Sequence, residues 1–552
     1  MTAVTAGSVE QPASMRTVVA ASSAGTAFEW YDFFIFGTLA TVISKTFFSS
    51  LNDTAAFIAA LALFGAGFAF RPLGALIFGW LGDRAGRKAA FLITVTLMGG
   101  ATFAIGLLPT YAQAGPIAPI LLILMRIIQG TALGGEYGGA AIYVAEHAAP
   151  DKRGAMTGWI QVSAALGLIG ALVVVLVTRT TIGEEAFAAW GWRIPFLVSA
   201  GLLAISLWMR MKLSESPTFK ALKEAGEHST APFRESFAHW PNLKLVFLAL
   251  FGVMFAQGAV WYAAFFYTQV FLEKFLKVPA PTVNTLVMLM VVASAPLYVF
   301  FGWLSDKIGR KPVMLAGMAA ALIFFFPGFH MMAKFANPAL AEAEARTPVV
   351  VVADPAACSL QFDPVGKAQF VSSCDIAKST LANAGISYEN EAAPAGSAAK
   401  IRVGDTEVLS VEGAGLAAAD LTTAKADVDS RIKAALTQAG YPLAADPARI
   451  NLLGVFGVLM IFAIAATALY GPQASALVEL FPTRVRYTAL SLPYHVGTGW
   501  VGGFLPFTAF AIVAATGNIY SGLWYPVVFT AISVLVTLVF WPETKGRPLE
   551  AA

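Results

Sequence analysis

The chain has 552 residues, 57% of them hydrophobic and only 12% charged, with a mean hydropathy of +0.70. Soluble domains carry about a quarter charged residues, so an ordinary soluble protein is excluded. The net charge of +3 sits in loops and gives no reason to expect a nucleic-acid partner.

The first sixteen residues are polar and show no small-residue cleavage pattern, so the chain is expected to insert through its own first helix. Apolar stretches of about 20 residues can cross a bilayer. They fall at roughly 18–43, 55–82, 89–109, 117–146, 155–178 and 190–211, then at 244–272, 281–305, 312–335, 449–478, 487–515 and 520–541. Six and six are separated by a polar linker, 212–243, which carries Pro217, Pro232 and Pro241. The predicted divisions are therefore 1–211, the linker, 244–335, an insertion at 336–448, and 449–552. With both termini inside, nineteen Lys and Arg, from Arg16 to Arg547, fall in cytoplasmic segments. The short outer loops hold five: Lys45, Arg179, Arg193, Lys274 and Lys277. That asymmetry sets the expected orientation.

Ionisable residues inside membrane helices are costly and default to functional hypotheses. In the first helix, Glu29 and Asp32 are three residues apart and share a face. Arg71 in the second helix and Glu136 in the fourth count to a similar depth. Either Arg71 neutralises one acid while another binds a proton, or the four form a fixed structural cluster. Arg126, Gln129, Leu133 and Glu136 recur on one face of the fourth helix, with Tyr137 beside them and glycines that admit a neighbour. The second half adds Gln257, Trp261 and Tyr262 in helix seven and Tyr470 and Gln473 in helix ten. Helix eleven adds Tyr494 and His495, the histidine either a packing residue or a group that titrates near neutral pH. Gly471-Pro472 and Pro493 are expected to kink their helices.

The decapeptide from Gly79 to Lys88, Gly-Trp-Leu-Gly-Asp-Arg-Ala-Gly-Arg-Lys, recurs at Gly302 to Lys311 with seven of ten positions identical. Each copy is a short polar turn between apolar runs, so the protein is two related halves. Asp83 lies beside Arg84, Gly86, Arg87 and Lys88; Asp306 lies beside Arg310 and Lys311. Positive charge alone would anchor the loops, but the repeated Asp and Gly favour gating, with charge pairs holding the cytoplasmic side closed. A second repeat sets Glu146, Pro150 and Arg153 against Glu479, Pro482 and Arg484, which suggests ion pairs joining the two loops of each half.

The segment 336–448 is too polar to span and, by parity, lies outside. Strands are expected at 348–353 and 401–411, and Leu421, Val428, Ile432 and Leu436 share a helical face. Cys358 and Cys374 are the two cysteines of the chain, and an oxidising outer compartment favours a disulfide between them.

The decapeptide resembles the loop signature of the major facilitator superfamily. Gly25 to Phe33, Arg71-Pro-Leu-Gly, Arg126 to Ala140, Gly191-Trp-Arg-Ile-Pro-Phe-Leu, Leu213-Ser-Glu-Ser-Pro-Thr-Phe and Tyr487 to Gly497 together resemble the metabolite–proton symporters of that superfamily. The resemblance covers both membrane halves and implies import of a small polar metabolite with protons. The insertion departs from that family.

The expected fold is an all-α membrane protein of twelve transmembrane helices in two six-helix halves, with a small α/β extramembrane insertion. The expected function is a proton-coupled symporter for a small metabolite, an organic acid, working by alternating access in a bacterial inner membrane. Glu29, Asp32 and Glu136 are the proton candidates. The substrate candidates are Arg71, Arg126, Gln129, Tyr137, Gln257, Trp261, Tyr262, Tyr470, Gln473 and His495. No enzyme chemistry, cofactor or metal is expected: there is no phosphate-binding loop, and the five histidines lack ligand spacing. Substrate, protons and lipid are the expected partners of a monomer, with the insertion open to a periplasmic partner. The alternative is a transporter-like sensor with the insertion as ligand receiver.

Overall fold

A backbone in hydrocarbon must satisfy its own polar groups, so long apolar runs become helices. The computed structural model describes residues 14–49, 67–212, 214–360 and 370–549. Among them nine helices are long and apolar enough to cross a membrane. These are span 3 (Arg87–Leu107), span 4 (Ile117–His147), span 5 (Arg153–Ile182), span 6 (Arg193–Met211), span 7 (Trp240–Phe275), span 8 (Ala280–Ile308), span 9 (Arg310–Ala336), span 10 (Leu452–Leu480) and span 12 (Ser521–Phe540). Three more complete the twelve-helix bundle. Span 1 is Met15–Thr38, continued after a break at Leu39 by Ala40–Phe47. Span 2 is described from Arg71 to Arg84, and residues 55–66 of the expected stretch lie outside the described residues. Span 11 runs from Arg486–His495 through wider π-helical turns at Val496–Gly502 to Leu505–Thr516.

Span 10 passes through Pro472 as one continuous helix, and Pro493 lies just before the wide turns of span 11. Span 7 has wide turns at Leu250–Met254 and Ala263–Tyr267, which flank Gln257, Trp261 and Tyr262. An extra residue in a turn re-aims the side chains that follow it, a feature common at functional sites.

The halves meet where span 5 packs on span 8 and span 2 on span 11. A Cβ added to Gly154 would lie 2.3 Å from the Gly302 carbonyl oxygen, and one on Gly302 equally close to that of Gly154. A Cβ on Gly79 would lie 2.8 Å from the Thr488 Cα. These backbone-to-backbone approaches explain why glycine opens each decapeptide. They lie at the end of the bundle where Lys and Arg concentrate, called here the basic face.

The insertion joins spans 9 and 10 at the opposite face. Its sheet contains β1 (Val349–Ala353), β2 (Glu389–Ala392), β3 (Lys400–Val403) and β4 (Thr406–Leu409), in the order β2-β1-β3-β4. β1 pairs parallel with β2 and antiparallel with β3, and β3 pairs antiparallel with β4. The strand expected at 401–411 is thus two strands, divided at Gly404, whose φ of +57° turns the chain. β2 escaped the sequence reading because Glu-Asn-Glu-Ala is exposed throughout and has no apolar alternation. Val428, Ile432 and Leu436 of the helix Ala418–Gln438 are buried, with Leu421 packed against the same core. A disulfide joins Cys358 to Cys374, with their Cα atoms 5.2 Å apart. The insertion is tied to the bundle by Tyr388 N–H to Gly517 O (2.7 Å), Asn390 to Thr516 O (2.9 Å), Ala445 N–H to Lys277 O (2.9 Å) and Asn337 to Leu276 O (3.0 Å). Each of these ties reaches spans 7 to 12.

Candidate functional site

The two decapeptides tie the halves together at the basic face by the same device. Helix N-termini carry unsatisfied N–H groups and attract anions. Asp83, at the end of span 2, accepts N–H bonds from Tyr487 (3.1 Å) and Thr488 (2.8 Å) in the first turn of span 11. Asp306, at the end of span 8, accepts N–H bonds from Gly154 (2.9 Å) and Ala155 (2.8 Å) in the first turn of span 5. Each aspartate therefore ties one half to the other, and each is also held by its own arginine, Arg87 or Arg310, at 2.6 Å. Gly86 and Gly309 follow at φ of +119° and +112°, angles that favour glycine. Their turns expose the next two amides, which Glu215 takes at Arg87 and Lys88 and Glu543 takes at Arg310 and Lys311. Lys88 Nζ bonds the Met211 carbonyl at the end of span 6, and Lys311 Nζ the Leu538 carbonyl near the end of span 12. Arg84 lies over the Trp80 ring. The sequence reading did not find Glu215 or Glu543, although both follow the sixth span of their half at matching places.

Glu479 bonds Arg310 of its own half at 3.1 Å and also approaches Arg153 of the other half at 3.5 Å. Glu146 pairs across the halves with Arg486 at 2.7 Å. The counterpart of Arg153 is therefore Arg486 rather than Arg484: both lie seven positions after their glutamate. Arg484 turns outward to Glu235 of the linker at 2.8 Å.

The four ionisable groups expected at one level occupy three places. Glu29 and Glu136 share a single guanidinium, but it belongs to Arg210 at the end of span 6, at 3.0 and 2.8 Å, and not to Arg71. Arg210 also donates to Phe91 O, one turn into span 3, so this triad lies nearer the basic face than counting along span 1 suggested. A Cβ on Gly25 would lie 2.4 Å from Arg210 Nη2, so a side chain there would push the guanidinium out of its place beside span 1. Glu136 is also approached by the hydroxyls of Thr94 (3.2 Å) and Thr26 (3.4 Å).

Asp32, on the same face of span 1 as Glu29, belongs to a different cluster. It accepts a hydrogen bond from Ser199 at 2.5 Å and lies against the Thr102 hydroxyl. Thr102 accepts from Gln129 Nε2 at 2.7 Å, and Gln129 Oε1 accepts from Arg126 at 2.8 Å. Asp32 and Arg126 are thereby joined by a chain of short polar contacts. Arg71 sits over the rings of Phe68 (4.1 Å) and Phe33 (4.8 Å) and beside Tyr262. It is buried, and its Nε and Nη2 have no hydrogen-bond partner among the described residues. The same holds for Gln257 Oε1 and for both amide atoms of Gln473. His495 is buried against the Gly134 carbonyl and edge-on to Tyr494.

Between the halves, away from the basic face, lies a cavity of about 660 Å3. Thr38, Gln269 and Asn284 stand on its walls, and Gln161, Trp261 and Tyr298 lie deeper. Trp261 Nε1 donates to the Tyr298 hydroxyl at 2.9 Å, and Gln161 Nε2 to the Tyr137 hydroxyl at 2.6 Å. Tyr137 stacks on Tyr494 with ring centroids 3.7 Å apart, and Tyr494 shares a 2.7 Å hydrogen bond with Tyr470. These rings form the boundary between the cavity and the closed face. Gln161, Gln269, Asn284 and Tyr298 were not singled out from sequence, where an isolated amide or tyrosine in an apolar helix carries no periodic signal.

Residues 17–236, 219–352 and 434–552 match the model of a family described as Sugar (and other) transporter. The glycine betaine/proline/ectoine/pipecolic acid transporter OusA of Dickeya dadantii is 28% identical over 549 residues, covering 98% of this chain and 85% of the relative. The proline/betaine transporter of Salmonella typhimurium is 36% identical over 326 residues, 57% of this chain and 64% of the relative. The shikimate transporter of Escherichia coli is 36% identical over 319 residues, 57% of this chain and 72% of the relative. Among solved structures, the proton:xylose symporter XylE bound to 6-bromo-6-deoxy-D-glucose superposes with a TM-score of 0.59 at 17% identity, over 97% of this chain and 98% of XylE. That likeness establishes a shared fold.

Proposed function

Because this chain belongs to the Sugar (and other) transporter family of major facilitators, we propose that it is a proton-coupled symporter importing a small organic acid by alternating access. Transport is the activity of the family, so the sensor that the sequence left open is withdrawn. The observation that carries the coupling is the burial of Glu29 and Glu136 around the single guanidinium of Arg210. Two carboxylates and one cation leave one negative charge where charge is expensive, and one proton cancels it. Glu136 has two hydroxyls besides Arg210, so Glu29 is the carboxylate that takes up and releases the proton.

Arg71 is the carboxylate receptor. Its two unspent nitrogens match a carboxylate fork, and Gln257 and Gln473 supply further unspent polar atoms. The cargoes named for the relatives, proline, betaines and shikimate, are all carboxylates. The faces of Trp261, Tyr298 and Tyr470 suit the ammonium of a zwitterion as well. In this reading the solute enters through the cavity and moves past the tyrosine boundary to Arg71 as the halves rock.

The chain is a multi-pass membrane transporter; we place it in a bacterial inner membrane as a monomer, with both termini cytoplasmic and the insertion periplasmic. The basic face is then the cytoplasmic side, held shut by the aspartate and glutamate ties. Protein reconstituted in liposomes with acid outside should accumulate labelled proline, glycine betaine, shikimate or glutarate above its external concentration. Glu29→Gln should end that accumulation and retain counterflow exchange. Failure of every carboxylate to accumulate, or unimpaired accumulation by the Glu29, Asp32 and Glu136 amide variants, overturns the assignment.

A further inference from the structure

A second cleft, of about 420 Å3, lies where the insertion sits on the bundle. Lys277, in the loop after span 7, forms one wall; Asn383, Ile386, Asp429, Lys433, Leu436 and Tyr441 of the insertion form the others. None of these residues lines the cavity between the halves. Lys277 is the one non-glycine residue at positive φ among the described residues, at 58°. An L-residue adopts that backbone only when its surroundings impose it. Here Ala445 N–H bonds the Lys277 carbonyl at 2.9 Å, and Lys277 Nζ bonds the Asn383 carbonyl at 2.8 Å. The ammonium is thereby fixed at the cleft with one of its three donors used among the described residues.

The charges around it are unbalanced. Lys433 and Asp429 on the insertion's last helix form a pair at 2.7 Å, while Lys274, on the same loop side as Lys277, adds a further positive charge. Burial, with Lys274 and Lys433 nearby, pushes the Lys277 ammonium down to about 8. Apart from Asn383 and the Tyr441 ring, the rest of the wall is apolar, from Ala384, Ile386, Leu436, Pro442 and Leu443. A volume of this size is within the range of small-molecule sites, roughly 300–1,000 Å3.

We propose that this cleft binds a small organic carboxylate with a short apolar body, its charge on Lys277 and Lys433 and its body against Ile386, Leu436 and Tyr441. Because the walls come from both the insertion and the end of span 7, an occupant stiffens the seat of the insertion on the bundle. The cleft shares no lining residue with the cavity of the proposed transport path, so it is an accessory site.

The test is calorimetric titration of the intact protein in nanodiscs with benzoate, hexanoate and glutarate at millimolar concentrations, with chloride as control. At least one carboxylate should bind, and Lys277→Gln and Lys433→Gln should each weaken it about tenfold or more, the worth of a charge-assisted hydrogen bond. Lys433 lies on an exposed helix surface, so its variant keeps the test valid if Lys277→Gln unseats the insertion. Raising the pH from about 7 to about 9 should weaken binding, since Lys277 is charged below its value near 8 and neutral above it. Arg71→Gln, which disables the proposed transport site, should leave this binding intact. Binding that follows Arg71 instead of Lys277, that is indifferent to both lysines, or that is absent for all three carboxylates overturns the proposal.

Discussion

Glu146 and Arg486 lie 340 residues apart in the chain and 2.7 Å apart in space, with both side chains fully buried. Arg153 and Glu479 repeat the arrangement with the halves exchanged, at 3.5 Å. Together with Asp83 and Asp306 on the facing helix N-termini, they give the basic face two symmetry-related locks. In the proposed alternating-access cycle these links break when the halves part on that side.

Breaking a buried pair by removing one partner costs roughly 3–5 kcal/mol because the other charge is left uncompensated. Glu146→Gln should therefore shift the conformational equilibrium toward an open basic face by about a hundredfold or more. Reactivity of a cysteine placed near Thr488 with a membrane-impermeant thiol reagent, applied from the basic side, measures this shift. Unchanged reactivity would mean that the pair is not part of the closure.

Asp83→Asn should impair transport without impairing membrane insertion. Asparagine keeps one acceptor for the span 11 amides but loses the charge that pairs with Arg87 and complements the helix end. Surface expression and initial uptake rates, measured together, separate a gating role from one of topological anchoring. Normal uptake in a well-expressed variant would leave only the anchor.

Arg71→Lys should behave nearly as badly as Arg71→Gln. A guanidinium offers a planar fork that an ammonium lacks, and a hydrogen bond to a charged group is worth about 1.5–3 kcal/mol. The expected result is a rise of about tenfold to a hundredfold in KM for a carboxylate solute, read from concentration-dependent uptake. Retention of wild-type KM by the lysine variant would remove Arg71 from the carboxylate site.

Cys358→Ser should loosen the insertion and spare the bundle. A loop of about 15 residues closed by a disulfide is worth roughly 3 kcal/mol on chain-entropy grounds, a large share of a small domain's stability. Hydrogen exchange should rise in the helix Ser373–Ala384 and strand β1 while the spans keep their protection. Replacing residues 340–447 by a short flexible linker should also preserve uptake, because the insertion's ends enter neighbouring helices. Complete loss of uptake in a correctly inserted deletion would place the insertion on the transport path.

The sequence by itself determined what depends on local pattern. Apolar run length set the number of spans, the decapeptide repeat showed two halves, and the polarity of 336–448 set the insertion apart. The paired cysteines, two strand regions and the buried face of Val428, Ile432 and Leu436 were legible for the same reason: each is a signal carried by neighbouring residues. Only the tertiary structure decided which charges meet. Counting along a helix gives depth along that helix alone, so it put Arg71 beside the acids, whereas packing delivered Arg210 from the end of span 6. The pairing of Arg486 with Glu146, and the turning of Arg484 to the linker, depend on how spans from different halves face one another. Glu29 and Asp32 share a face, yet they reach different clusters because spans 3, 4 and 6 converge on span 1 at different heights. Periodicity encodes which side of a helix is buried; the partner buried against it is fixed by contacts across hundreds of residues, for which a single sequence carries no local signal.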